Sequence, residues 1–285
     1  MSPAELVALA IKISIFAIVF ALGMSARLDD FMGVLRSPGR LARSVLAMVV
    51  VMPLLAVLLV KAFDLPRPVG VMLIALALAP VPPILPGKQN KAGGDAVYAL
   101  RLLAGVGLIA IISIPLELEL IELAFGMSLS APPGLVAGLV ATSILAPLLA
   151  GALVAQFAPN LASRLRPLFS KIGGVSLLAA TAVILVTQGR AIVELIGDGT
   201  LLAMAIFVIC GLIVGHLLGG PDADDRTVLA IATASRHPGI ALAIAHINYP
   251  QETDLAAAVL IFLLTNAALT APYIIWRRRT VAGAS

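Results

Sequence analysis

One cysteine in 285 residues, Cys210 inside an apolar run, leaves no intrachain disulfide and no cysteine metal cluster. Charge is scarce as well. Asp, Glu, Lys and Arg together make up 12% of the chain, far below what a soluble domain carries on its surface. The sequence offers no nucleophile–base pair, no metal-ligand spacing among His216, His246 and Cys210, and no phosphate-cradling loop. Neither an enzyme nor a cofactor is therefore expected, and no metal site. The net charge of +4 comes from basic residues scattered through short loops rather than gathered in a patch, which excludes a nucleic-acid partner. The first apolar run has no basic stretch before it and is long enough to span, so no cleavable signal is expected. No loop has the length of a soluble output domain, which counts against a membrane-embedded sensor.

What the chain has in abundance is apolar sequence. Hydrophobic residues make up 61% and the mean hydropathy is +1.09, which places it among polytopic all-α membrane proteins in a lipid bilayer. Nine transmembrane helices can be drawn, at about 5–24, 44–63, 68–92, 95–115, 131–155, 168–188, 200–218, 224–247 and 254–276. Basic residues partition between the loops. One set holds Arg27, Arg36, Arg40, Arg43, Lys88, Lys91, Arg164, Arg166, Lys171, Arg226, Arg277, Arg278 and Arg279. The alternate set holds Lys61, Arg67 and Arg190, while Glu117, Glu119 and Glu122 are read as crowding a loop without a base. The imbalance predicts a multi-pass protein of the cell inner membrane with the N-terminus outside and the C-terminus cytoplasmic. Lys12 and Arg101 lie about two turns from span ends, where their side chains can snorkel.

Two of the nine spans cannot be continuous helices. The third carries Pro80, Pro82, Pro83, Pro86 and Gly87 within one short stretch. The eighth is broken by Ser235-Arg236-His237-Pro238-Gly239. Proline has no N–H to donate and pushes the preceding residue out of helical geometry. Unwound backbone at membrane depth must face protein or water, and a charge beside it points to a transporter's binding site. The broken spans lie five apart in order and so cross in opposite senses, the pattern of an inverted repeat. Gly134-x-x-x-Gly138 and Gly211-x-x-x-Gly215 are candidates for close helix approach.

These residues carry a family resemblance. The stretch from Gly23 to Phe31, Met52-Pro53, Ala79-Pro80 and Ser235-Arg236-His237-Pro238-Gly239-Ile240-Ala241 together resemble the bile acid:sodium symporter family. The resemblance implies a panel domain (about 5–24, 131–155 and 168–188) and a core domain (about 44–115 and 200–276), with the two broken helices crossing in the core. It implies alternating-access movement of a small organic anion. It also exposes departures. Leu85 and Pro86 stand where sodium-coupled members have a Ser-Asn pair, Ala232 or Thr233 where they have a Glu, and Arg236 and Met48 where they have Gln. Ser113 is the one Ser or Thr of the fourth span. Sodium coupling is not expected on this register, and proton-coupled or facilitated exchange is left.

The candidate substrate-binding residues follow from the breaks. Arg236 can hold a carboxylate through its planar fork, fill the charge role of sodium, or cap the half-helix before it. His237 falls at the N-cap of the second half-helix, where Pro238 suits the first position, and it can titrate or stay neutral. Ser235 flanks them, and Thr233 is expected to bond its own helix backbone. Lys88, Gln89 and Asn90 follow the first break, as a solvated turn or as ligands. Asn266, in the ninth span, suits an interhelical hydrogen bond. A cation/proton antiporter-like exchanger is the rival within transport. It requires a buried carboxylate, and every acidic residue is read at a span end or in a loop.

Overall fold

The computed structural model describes residues 3–26, 37–125 and 131–282. Arg27 to Phe31 and Arg36, used above for the resemblance and for orientation, lie outside the described residues. Those that are described form helices and no strand. In chain order they are α1 (Pro3–Gly23), α2 (Pro38–Ala62), α3 (Arg67–Leu78), α4 (Leu85–Lys91), α5 (Ala96–Phe125), α6 (Pro133–Phe157), α7 (Pro159–Leu195), α8 (Thr200–Leu218), α9 (Ala223–Ala234), α10 (Pro238–Asn248) and α11 (Leu255–Ala282). Seven helical stretches are long and apolar enough to cross a membrane, with α9 and α10 taken as one of them. The first and third stretches read from sequence give the shorter apolar helices Leu9–Gly23 and Arg67–Leu78. A count of nine rests on treating those two as crossings also.

The fold is a polytopic helical bundle whose outer surface is apolar. Large hydrophobic side chains such as Leu58, Ile112, Leu178 and Val186 are exposed, as expected of a face turned to lipid. Small residues set the closest approaches. On α8, a methyl group on Gly211 would stand 2.7 Å from the Ala234 Cα, and Gly215 and Gly219 meet Ala230 and Arg226 in the same way. The Gly211–Gly215 motif therefore does what its spacing suggests, whereas nothing approaches Gly134 or Gly138 within 4 Å. α1 packs along α6 and α7. There Gly23 faces Gly151, and the Ser14 hydroxyl donates to the Gly173 carbonyl at 2.8 Å.

One sequence boundary needs correcting. The fourth span continues through Pro115 to Phe125, so Glu117, Glu119 and Glu122 lie on helix rather than in a loop. Glu119 and Glu122 are exposed, but Glu117 falls on the stripe of Ala110, Ile114, Leu118 and Ile121 that faces the core, and is buried with them. The helical period of that stripe outweighs the proline and the clustered glutamates.

Two ends of the bundle are tied by charged side chains. At one, Arg40 pairs with Asp225 at 2.8 Å, and the Arg278 guanidinium hydrogen-bonds the Lys91 carbonyl at 2.6 Å. Elsewhere Arg67 holds Glu252 at 3.1 Å. Each contact joins loops or helix ends that the basic-residue pattern assigns to one side.

Candidate functional site

Both breaks form, and they meet. α3 stops at Leu78 with Ala79 extended, and the chain stays non-helical until Ile84 caps α4, whose first turn contains Pro86. α9 stops at Ala234 with Ser235 extended, and α10 begins at Pro238. The His237 N–H donates to the Pro80 carbonyl at 2.9 Å, so the two unwound segments are hydrogen-bonded to each other. His237 is the N-cap of α10, its Nδ1 accepting from the Ile240 N–H at 3.3 Å. Pro82, Pro83, Pro86, Pro238 and Gly239 thus sit at or beside the interruptions they predict.

Arg236 is 2% exposed. Its Nη1 donates to the Ala79 carbonyl at 3.3 Å and its Nη2 to the Met48 carbonyl at 3.2 Å, while Nε has no partner. The Met48 carbonyl is available for a local reason. Residues Leu46–Val51 form a π-helical turn in which the Met52 N–H reaches back to Ala47. In that register the partner of Met48 would be the N–H of Pro53, which does not exist. Arg236 supplies the missing donor, and a second one to the Ala79 carbonyl at the end of α3.

Asn266 on α11 closes the other end of the same crossing. Its Nδ2 donates to the last carbonyl of α9, Ala234, at 2.8 Å, and its Oδ1 accepts from the Ser235 hydroxyl at 3.3 Å. Thr233 is fully buried, but its hydroxyl has no partner, so the expected bond to its own helix does not form. Gln89 is buried and ties α4 to α9, donating to the Val228 carbonyl at 2.8 Å; its Oε1 is unpartnered.

Lys88 and Asn90 are not at the crossing; both are exposed. Lys88 and Lys91 stand between two cavities. One, of about 390 Å³, opens between α4 and the α1–α7 pair, and is lined by Pro83, Ile84, Ser25, Arg166 and Ser170 as well as the two lysines. The other, of about 220 Å³, lies between α4 and α11 and adds Thr270 and Arg278. The chain therefore carries a buried knot of backbone and polar groups, and beside it a basic cavity. Arg236 belongs to the knot and lines neither cavity.

Two functional candidates were missed from sequence. Arg166 was taken as a loop charge, although it lies on α7 facing the cavity. Glu117 is 8% exposed, and the one hydroxyl that serves its carboxylate is that of Ser113, one turn back. The charged group acting on it is Arg236. The signal for Glu117 was its place on the buried stripe; no local signal marks Arg166.

The family model described as "Sodium Bile acid symporter family" matches residues 12–195. The chain is also similar to "Uncharacterized sodium-dependent transporter YocS" of Bacillus subtilis (strain 168). The two are 24% identical over 268 residues, covering 87% of this chain and 77% of the relative.

Proposed function

The chain is a membrane transporter that belongs to the sodium bile acid symporter family, and on that premise we propose that it carries a small organic anion by alternating access, without a sodium gradient to drive it. The observation that carries this reading is the basic cavity of about 390 Å³ beside the first break. Lys88, Lys91 and Arg166 converge there without a carboxylate among the lining residues, the arrangement that holds a carboxylate or similar anion. Arg236, His237, Ser235, Thr233, Gln89 and Asn266 form the crossing behind it and fix where the cavity wall stands.

Alternating access needs two bodies. α1, α6 and α7 serve as the panel and the remaining helices as the core, divided by the large cavity. Ala21, Met24 and Ala162 form a small apolar cluster within the panel, while Val136, Val140 and Ile144 of α6 pack into the main core cluster against α5. The opposed directions of the two broken crossings support an inverted repeat.

Sodium independence rests on chemistry. Leu85, Pro86, Ala232 and Met48 offer no side-chain oxygen, and the Met48 and Ala79 carbonyls are already occupied by a guanidinium. The relative's name speaks of sodium dependence; in this chain the positions matched to the sodium ligands of coupled members carry Leu85, Pro86, Ala232 and Met48 instead. The test is counterflow in proteoliposomes against a panel of mono- and dicarboxylates, with sodium, potassium and pH varied separately. We expect exchange of at least one acid, unchanged by a sodium gradient and reduced at least tenfold in Arg166→Gln or Lys88→Gln. Uptake that rises steeply with imposed sodium would overturn the coupling assignment, and wild-type rates in both variants would overturn the cavity.

For orientation, the cytoplasmic side is assigned to the end that holds Arg40, Lys91, Arg166 and Arg278, on the excess of basic residues there. A cysteine replacing Ser170 should label in right-side-out vesicles only after the membrane is opened.

A further inference from the structure

We infer that Glu117 is a proton-binding site that works through Arg236, so that a proton takes the part of a coupling ion in this transporter. The inference deepens the transport reading and rests on it. A carboxyl group nine-tenths buried within a membrane-spanning helix, with no partner but the Ser113 hydroxyl one turn back, is costly to retain unless it has a task. The charged group acting on it is Arg236, whose one unpartnered nitrogen is Nε. The other charged groups on the elements packed against α5 sit at or near helix ends. They are Lys88 and Lys91 on α4, Arg40, Arg43 and Lys61 on α2, Asp224, Asp225 and Arg226 on α9, and Arg67 on α3. His237, next to Arg236, keeps Nδ1 on the Ile240 N–H and leaves Nε2 unbonded.

Two states follow from the contacts. The contacts seen here, the guanidinium on the Ala79 and Met48 carbonyls clamping the first break to α2, are assigned to the state with Glu117 protonated. When the carboxyl gives its proton to water, a full negative charge competes with two neutral carbonyls for the same guanidinium, and the bond with both partners charged is the stronger. The clamp then loosens at Ala79. The stretch that follows Ala79 runs through Pro83 and Ile84 into α4, and so forms the wall of the basic cavity with Lys88 and Lys91. Proton occupancy at Glu117 is thereby tied to the shape of the anion cavity.

The test needs no identified substrate. Infrared difference spectra of the purified protein in lipid vesicles are recorded across a pH series for the wild type, Glu117→Gln and Arg236→Lys. A carboxyl band that grows on acidification should be present in the wild type, absent in Glu117→Gln, and displaced in midpoint by at least threefold in proton concentration in Arg236→Lys. An imidazole gives no such band, which separates Glu117 from His237. In parallel, a cysteine replacing Ser170 in a Cys210→Ser background is labelled with maleimide. The ratio of its labelling rate to that of the same protein carrying Glu117→Gln should change severalfold across the series, the thiol's own ionisation cancelling. Identical spectra in wild type and Glu117→Gln, an unmoved midpoint in Arg236→Lys, or a flat labelling ratio each overturns the inference. Counterflow that fails for every acid while the band, the shift and the ratio change all appear would instead remove the anion-transport reading and leave the proton site. If Glu117→Gln does not fold, the midpoint in Arg236→Lys still decides.

Discussion

The two interrupted crossings use opposite resources. Between Ala79 and Ile84 every side chain is apolar and three of the six residues are proline, so the first break offers carbonyls in excess of donors. Between Ser235 and His237 every side chain is polar, and the second break supplies donors. The His237 N–H meets Pro80 and the Arg236 guanidinium meets Ala79. Prolines disarm the donors of one segment, and the other segment brings replacements. Neither break is satisfied alone, which is how unwound backbone is held at membrane depth.

The comparison is broken most severely by removing the shared donor. Arg236→Ala should cost about 3 kcal/mol, because it orphans two buried carbonyls as well as deleting charge-assisted bonds. Arg236→Lys should recover about half, since a point charge cannot span Ala79 and Met48 as the fork does. Melting curves of the three proteins in one detergent check this; full recovery by Lys would show that charge alone matters. A smaller effect is expected one helix away. Asn266→Ala removes the cap on Ala234 and the acceptor for Ser235, and should cost about 1.5 kcal/mol, whereas Asn266→Asp loses the donor and should not rescue. The smallest change is on the acceptor side. Pro86→Ala leaves every carbonyl of the first break in place and should destabilise by about 0.5 kcal/mol through chain entropy. A loss as large as that of Arg236→Ala would mean that the prolines, rather than the donors facing them, hold the first break.

The breaks were legible because proline and glycine act locally: Pro238 at the start of α10 and His237 at its N-cap follow from two adjacent residues. The partner of Arg236 was not legible in that way. It depends on a π-helical register at Leu46–Val51 that frees one carbonyl 188 positions away, although Pro53, five residues after Met48, was the trace it left. Glu117 was misplaced because Pro115 and three nearby glutamates read as a span end, while burial of a whole helical face decided otherwise. The cavity was illegible for another reason: Arg166 on α7 and Lys88 on α4 face the same open space, which no spacing in the chain records.

The glycine ladder on α8 also sets where the molecule is stiff. Backbone lies against backbone at Gly211, Gly215 and Gly219, with no side chain between that could change rotamer and take up a displacement. α9 can neither roll nor slide on α8 by even the width of a methyl group without collision. α9 therefore moves as one solid block with α8. α4, seven residues long, is bordered by two cavities and joined to that block through the Gln89 amide. Open space thus lies beside α4 and none lies between α8 and α9, and a substitution that widens the α8–α9 contact should slow the protein by making the wrong part compliant.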